Sequence, residues 1–298
     1  MFAGPAASRY TLGMRSYALA VLFLALAGCA HQPLAGADLD RVRKPAFIAR
    51  IEENAGPRSN VFRDDSTYGG KLKKLEPKEA DRRLQLKLDR GVTEKGDDGH
   101  EHTVVSSITR FEVADQLRAS TLGFLPRERP WTNVIDPAAV ASALESFLVE
   151  EVPANAPDYE LLKPLGADAV IEFVVEEYGM RSDEGRGGAY VVGYGRMFFL
   201  EGGGNVWYRS FRADEVDSKQ PHVDPFKVAK NPALFREHMT TLLKAVSQQF
   251  SKDLQPPDRH GGASLPEGND LSGGDVKTPQ KHKAKSGDNE DLPAPDAP

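Results

Sequence analysis

Two groups of side chains in this chain have types and spacings that could support chemistry, and the first is a short His and acid cluster. His100-Glu101-His102 follows Asp97 and Asp98, and two histidines at i, i+2 can share a metal ion when they lie on a strand. No further ligands stand at a spacing that completes a tetrahedral set. We therefore favour a charged, hydrated loop here and predict no metal site.

The second group is a set of three glutamates, Glu172, Glu176 and Glu177, within an apolar stretch. A close pair of carboxylates can act as general acid and general base. Cross-strand ion pairs with Arg196 or Arg209 are the interpretation that we favour. The glycine-rich segments 185–188 and 202–204 are not followed by the Lys-Ser/Thr of a phosphate-binding loop, so they predict turns. We predict no catalytic residue and no cofactor, and we expect that the protein is not an enzyme.

Cys29 is the single cysteine, and it directly follows an apolar stretch from Tyr17 to Ala27. Two arginines precede that stretch, and small residues follow it, as in a secretory signal. The stretch is too short to span a hydrocarbon core of roughly 30 Å, which argues against a permanent transmembrane helix. The same pattern is complete from Met14, so Met1 and Met14 both remain as the start.

The order Leu26-Ala27-Gly28-Cys29 resembles the lipobox of bacterial lipoproteins. The resemblance implies that residues 1–28 are a signal peptide and that the Cys29 sulfur carries a diacylglycerol thioether, with acyl chains such as palmitate. An ordinary signal peptide with an incidental cysteine is the alternative. In lipoproteins an Asp after the cysteine favours retention at the inner membrane. Ala30 stands there, so the resemblance implies anchoring at the periplasmic face of the outer membrane.

Composition narrows the class of partner. The 298 residues carry a formal net charge of −6, whereas a nucleic-acid partner calls for a concentrated basic field, so we predict no nucleic acid. No second cysteine is present to form an intramolecular disulfide, and stability must come from a buried core. The partners that we expect are the membrane, through the lipid anchor, and a periplasmic or outer-membrane protein.

Polar flanks divide the chain. Residues 29–45 predict a lipidated tether, because His31 to Arg43 is polar and without periodicity. Residues 46–254 predict one α+β periplasmic domain. From Pro256 onward there is no aromatic residue and little apolar content, so residues 255–298 predict a disordered tail.

The second half of the domain has the clearest pattern. Residues 169–179, 189–201 and 205–213 are rich in β-branched and aromatic residues and are separated by glycine-rich loops, which predicts an antiparallel meander. A helical stripe then predicts a helix lying across the sheet: Phe235, Met239, Leu242, Val246 and Phe250. The fold class is α+β, an antiparallel β-meander sheet packed by amphipathic helices on one face, with disordered flanks.

The remaining elements are predicted from caps and periodicity. Asp136-Pro137, Asp158 and Asn231-Pro232 are helix starts, and Gly166 ends the helix that Asp158 begins. In the first part of the domain we expect a strand at 46–53, a loop at 54–70, an ambiguous helix or strand at 78–90 and a charged loop at 91–102. Two further helices are expected. One is buried through Phe111, Ala114, Leu117 and Leu122 and ended by Gly123, and the other is buried through Val140, Leu144, Phe147 and Leu148.

An aromatic-rich set belongs either to the core or to a surface: Trp131, Trp207, Tyr190, Tyr194, Phe198 and Phe199. Aromatic side chains left exposed on one sheet face would form a docking patch for a protein or a lipid chain.

Three motifs mark the order of these elements. Gly166-Ala167-Asp168 leads into the first long strand, Val206-Trp207-Tyr208-Arg209 opens the last strand, and Asn231-Pro232-Ala233-Leu234 starts the final helix. This order is similar to that of periplasmic lipoprotein domains of the CsgG, LpoB and TolB N-terminal type. The similarity implies envelope assembly, secretion or regulation through protein contacts, and it implies no catalytic residue.

We therefore expect a non-enzymatic, lipid-anchored lipoprotein of the cell envelope that acts through protein binding. The alternatives are a lipid-shuttling accessory lipoprotein and a periplasmic hydrolase or metal-binding enzyme. An exposed aromatic sheet face or a free strand edge would favour protein binding, an apolar tunnel would favour lipid transport, and a deep pocket with convergent polar groups would favour an enzyme.

Overall fold

The computed structural model describes residues 31–95, 101–144, 156–217 and 222–255. The strands are β1 (His31–Gln32), β2 (Pro45–Ile51), β3 (Arg58–Asn60), β4 (Val92–Lys95), β5 (Glu101–Val105), β6 (Ala169–Asp183), β7 (Arg186–Phe199) and β8 (Asn205–Asp214). The α-helices are α1 (Gly36–Leu39), α2 (Ser66–Gly69), α3 (Pro77–Arg90), α4 (Arg110–Phe124), α5 (Pro137–Ala143), α6 (Pro225–Lys230) and α7 (Ala233–Asp253). Short 3-10 helices lie at Trp131–Asn133 and Tyr159–Leu165.

The main sheet has six strands, and five of them follow the order β1-β8-β7-β6-β2. The predicted antiparallel meander is confirmed as β6, β7 and β8. Two further strands, β2 and β3, run parallel to β6 and pair with its first and second halves. The α+β fold class is therefore confirmed, and the meander is extended by parallel strands that are distant in sequence.

The larger core lies on one face of this sheet, beneath α7. The predicted stripe is confirmed, since all five of its residues are buried. Phe250 stacks on Phe173 of β6 with ring centroids 5.0 Å apart, and it meets Trp207 of β8 edge to face at 5.5 Å. Ser247 and Ser251 donate hydrogen bonds to backbone carbonyls of α4, which joins the two helices.

A smaller cluster lies on the other face of the sheet. There α5 and the 3-10 helix at Tyr159–Leu165 cover Ala46 and Ile48 of β2 and Val170 of β6. Both helices begin as predicted, because the side chains of Asp136 and Asp158 accept backbone N–H groups in the first turn. The sheet is thus covered on both faces at the end where β2 lies.

Three segments differ from expectation, and the structure decides a fourth that the sequence leaves ambiguous. Residues 31–43 pack against the sheet, with Leu34, Leu39 and Val42 buried, and the Asp168 carboxylate accepts the N–H groups of Arg43 and Lys44 at 2.5 and 3.0 Å. Residues 54–70 contain β3 and α2 rather than only a loop. The ambiguous segment at 78–90 is helical, and the expected loop at 91–102 contains β4 and part of β5. These segments gain order from partners far along the chain, and a small hairpin outside the main sheet does not require the periodicity used to predict strands.

Three details of the helices were also predicted wrongly. Phe111 is 64% exposed instead of buried, and Gly123 lies inside α4, which continues to Phe124. Asn231 ends α6, and no side chain caps α7. The α4 extension is stabilised by tertiary contact, because the carbonyl of Phe124 accepts a hydrogen bond from Ser251 at 2.9 Å.

Several predictions fall on residues outside the described ranges. These are the signal peptide with Cys29, the tail from Pro256, and the side chains of Asp97, Asp98, His100, Phe147 and Leu148. Among the helices that the structure describes, none has the length and hydropathy needed to cross a membrane.

Candidate functional site

Glu172, the first of the three candidate carboxylates, lies fully buried on the second face of the sheet. It accepts hydrogen bonds from Arg50 Nε at 2.7 Å, from Arg196 Nε at 2.5 Å and from the Tyr159 hydroxyl. The predicted ion pair with Arg196 is thus confirmed, and Arg50 adds a second. The pKa of the Tyr159 phenol is raised, mainly by burial and secondly by the negative charge of the nearby Glu172. This carboxylate has no exposed surface with which to meet a substrate. Its hydrogen bonds connect β6 to β2 and β7.

The other two glutamates have separate surroundings. Glu177 accepts a hydrogen bond from the Tyr190 hydroxyl at 2.6 Å and lies 3.5 Å from Arg58, while Glu176 is exposed at a bulge in β6. Arg209 pairs with Asp253 of α7 at 3.5 Å, so the predicted alternative partner for the glutamates is wrong. The structure does not bring the three carboxylates together as an acid and base pair.

The candidate metal cluster is only partly described, since His102 lies in β5 and His100 lies outside the described ranges. Within those ranges, no group of three or more His, Cys, Asp or Glu side chains is placed to hold a metal ion.

The aromatic set divides between the core and the second face. Trp131, Trp207, Tyr190 and Phe199 are buried. Tyr194 and Phe198 are half-buried on the second face. Tyr194 stacks on Tyr208 at 5.4 Å, while Phe198 meets Tyr159 at 5.0 Å. These partly covered rings do not form a broad exposed patch.

A polar cleft of about 540 Å³ lies between β3 and α3, and its two best-connected carboxylates, Asp81 and Glu79, are bonded within the domain. The Asp81 carboxylate accepts the N–H groups of Val61, Phe62 and Arg63 and the hydroxyl of Ser59. Hydrogen bonds from Arg82 and Arg83 lower the pKa of Glu79 to about 2. We therefore assign this cleft a structural role.

An apolar groove of about 430 Å³ lies along the outer edge of β2, and we call it the β2-edge groove. Its floor is Phe47, Ile48 and Ala49. One wall is α4, through Phe111, Ala114, Asp115 and Arg118, and the other is α5, through Asp136, Pro137, Ala138, Val140, Ala141 and Leu144. It combines an apolar lining with a strand edge that pairs with no strand in the described part of the chain, so we take it as the candidate functional site.

Local sequence signals place both walls of the groove. α4 begins at a capping box, in which Thr109 and Glu112 each accept from the other's backbone N–H. Asp136 caps the start of α5, and Pro137 is its first residue, a position where the missing N–H costs nothing. The two walls therefore start at well-defined residues and hold the groove open between them.

Phe111 is the most exposed aromatic side chain in the groove, and exposed aromatic residues are enriched at protein interfaces. The charged groups beside it already have bonding partners, because Arg118 pairs with Asp115 and Asp136 accepts from Ala138 N–H at 3.3 Å. The groove therefore presents apolar surface and strand backbone.

Sequence reasoning did not identify the groove residues. The spacing of Phe111 matches that of Ala114 and Leu117 and predicts a buried side chain. The available signal was Pro45 at the start of β2, since proline is confined to edge strands and strand starts. That signal marks the strand but cannot identify the helices beside it.

Comparisons with known proteins give no family. No family model and no curated protein matches this chain. Solved structures with a similar course include the PelC dodecamer from Paraburkholderia phytofirmans (12% identity, 70% of this chain and 88% of that chain, TM-score 0.26) and XCC0632 from Xanthomonas campestris (11%, 73% and 88%, 0.32). Lipoprotein GNA1162 from Neisseria meningitidis is a third (17%, 70% and 99%, 0.28).

Proposed function

We propose that this chain is a non-enzymatic, lipid-anchored lipoprotein of the bacterial cell envelope that binds another protein through the β2-edge groove. The observation that carries this proposal is the exposed Phe111 beside an apolar groove, whose strand edge is unpaired among the residues that the structure describes. A lipid anchor would concentrate the groove at one membrane surface, where a weak contact becomes effectively intramolecular.

The anchor is proposed from the lipobox resemblance at Cys29, and Ala30 supports placement at the periplasmic face of the outer membrane. The partner proposed is therefore a periplasmic or outer-membrane protein. The fully buried Glu172 and the separation of Glu176 and Glu177 support binding over hydrolysis as the role of this domain.

Photo-crosslinking in the membranes of the native host tests the proposal. A benzophenone amino acid replaces Phe111 in the lipidated protein, and the matched control carries it at Leu86, a 38% exposed residue of α3 outside the groove. We expect a discrete adduct with a second protein at position 111 and none at position 86. Phe111→Ser should weaken binding of the identified protein by at least about tenfold, because truncating an interface aromatic anchor costs ~2 kcal/mol. An adduct with lipid alone, or equal adducts at both positions, would contradict the proposal.

A further inference from the structure

The backbone of β2 presents hydrogen-bonding groups alternately to β6 and to the groove. Glu52 N–H donates to Val175 at 2.9 Å on the β6 side, whereas the Pro45 carbonyl accepts from Ile135 on the outer side at 3.0 Å. Because both backbone groups of a residue in a parallel strand point the same way, Phe47 and Ala49 direct theirs to the outer side. Among the residues that the structure describes, neither has a backbone hydrogen-bond partner there.

Residues from other elements lie at both ends of the part of this edge that contains Phe47 and Ala49. Ile135 N–H bonds to the outward carbonyl of Pro45, and beyond the last residue of β2 Arg110 of α4 donates to the carbonyls of Glu52 and Glu53 at 2.7 and 3.2 Å. Between them Ala49 is half-exposed and Phe47 lies deeper. An unpaired backbone group in such a position has a desolvation cost that a bonded partner removes.

The walls lie on the two sides that an added strand would face. Phe47 belongs to the core beneath α4, and Ile48 belongs to the cluster beneath α5. Side chains of a strand alternate between its two faces, so successive residues of an added strand would contact α4 and α5 in turn. Both walls offer apolar atoms at the groove, through Phe111 and Ala114 on one side and Pro137 and Ala141 on the other.

We propose that the occupant of the β2-edge groove is a short extended segment of the partner protein, with apolar residues on both faces, which adds to the sheet as a strand beside β2. This inference rests on the proposed function and names the form in which the partner binds. An acyl chain could fill the groove but has no donors or acceptors for Phe47 and Ala49. A helix has its backbone groups bonded internally and would leave the same groups unpaired.

The test uses a random twelve-residue peptide library displayed on phage and selected on the full-length lipidated protein in nanodiscs. Ala49→Pro removes the outward N–H and no sheet hydrogen bond, while Ala49→Val keeps the N–H and serves as the matched control. We expect selected peptides that bind at least about tenfold more weakly to Ala49→Pro and to Phe111→Ser, and near wild-type affinity for Ala49→Val.

Hydrogen exchange on the wild-type protein gives a readout that does not depend on how Ala49→Pro folds. A bound peptide should slow exchange of the Phe47 and Ala49 amides, whereas the Ile48 and Arg50 amides, which face β6, should change little. Peptides weakened by Phe111→Ser but unaffected by Ala49→Pro, without amide protection, would overturn strand addition and leave protein binding at the groove intact. Failure to select any peptide would also overturn it. A dimer of this chain that Ala49→Pro disperses would overturn it too, because the occupant of the groove would then be a second copy. Failure of the proposed function is read separately, from crosslinking at position 111.

Discussion

At the scale of single residues, Glu172 buries a charge that side chains from three other elements satisfy. Its partners come from β2, from the 3-10 helix at Tyr159–Leu165 and from β7. One carboxylate therefore connects β2 to elements more than 100 residues further along the chain. A buried ion pair does not by itself raise stability over an apolar equivalent, but removing one member leaves the others uncompensated.

Glu172→Gln should therefore lower the free energy of unfolding by about 3–5 kcal/mol, because the buried Arg50 and the partly buried Arg196 would both lose the carboxylate that they share. Chemical denaturation followed by circular dichroism measures this change. Glu176→Gln is the matched control four residues away on the same strand, and as an exposed substitution it should change stability by no more than about 0.5 kcal/mol. Equal values for the two variants would show that the buried network does not stabilise the fold.

At the scale of elements, the meander depends on glycines in the middle of β7. A Cβ at Gly195 would lie 2.6 Å from the Trp207 ring, and one at Gly193 would lie 2.0 Å from the Val174 carbonyl oxygen. A glycine inside a strand typically marks a close approach of this kind. β7 can therefore lie tightly between β6 and β8 only if these two positions have no side chain.

Gly195→Ala should destabilise the domain by about 1–3 kcal/mol, since the added methyl group forces the buried indole of Trp207 to move. Thermal unfolding together with Trp fluorescence would detect both the loss of stability and the changed environment of that ring. Gly204→Ala, in the β7–β8 turn with nothing within 4 Å of the added Cβ, should be close to neutral. A neutral Gly195→Ala would mean that the sheet relaxes around the methyl group.

At the scale of the whole molecule, the proposed anchor and the β2-edge groove act together. Cys29→Ala should move the protein from the membrane fraction to the soluble fraction and remove lipid from its N-terminus, since acyl burial contributes ~0.8 kcal/mol per CH₂. Mass spectrometry and membrane fractionation measure these outcomes. Ala30→Asp is the companion variant, which should stay lipidated but shift toward the inner membrane. An unmodified Cys29 in the wild-type protein would refute the anchor.

Local patterns in the sequence determined much of the second half of the fold. Alternating β-branched stretches with glycine turns specified the meander, and the 3.6-residue stripe ending at Phe250 specified α7. Asp136 and Asp158 identified two helix starts because capping depends on residues within one turn. The buried pair of Glu172 and Arg196 was also predictable, since a hairpin places neighbouring strands in register.

The tertiary structure alone decided the features that involve residues far apart in the chain. Pairing of β2 with β6 brings Arg50 to Glu172, and within the described ranges it leaves the outer edge of β2, between α4 and α5, without a pairing strand. Phe111 has the spacing of a core residue, yet it is exposed because of where α4 crosses that edge. Periodicity shows which side chains share a face of an element, whereas the packing of distant elements decides which of those faces is covered.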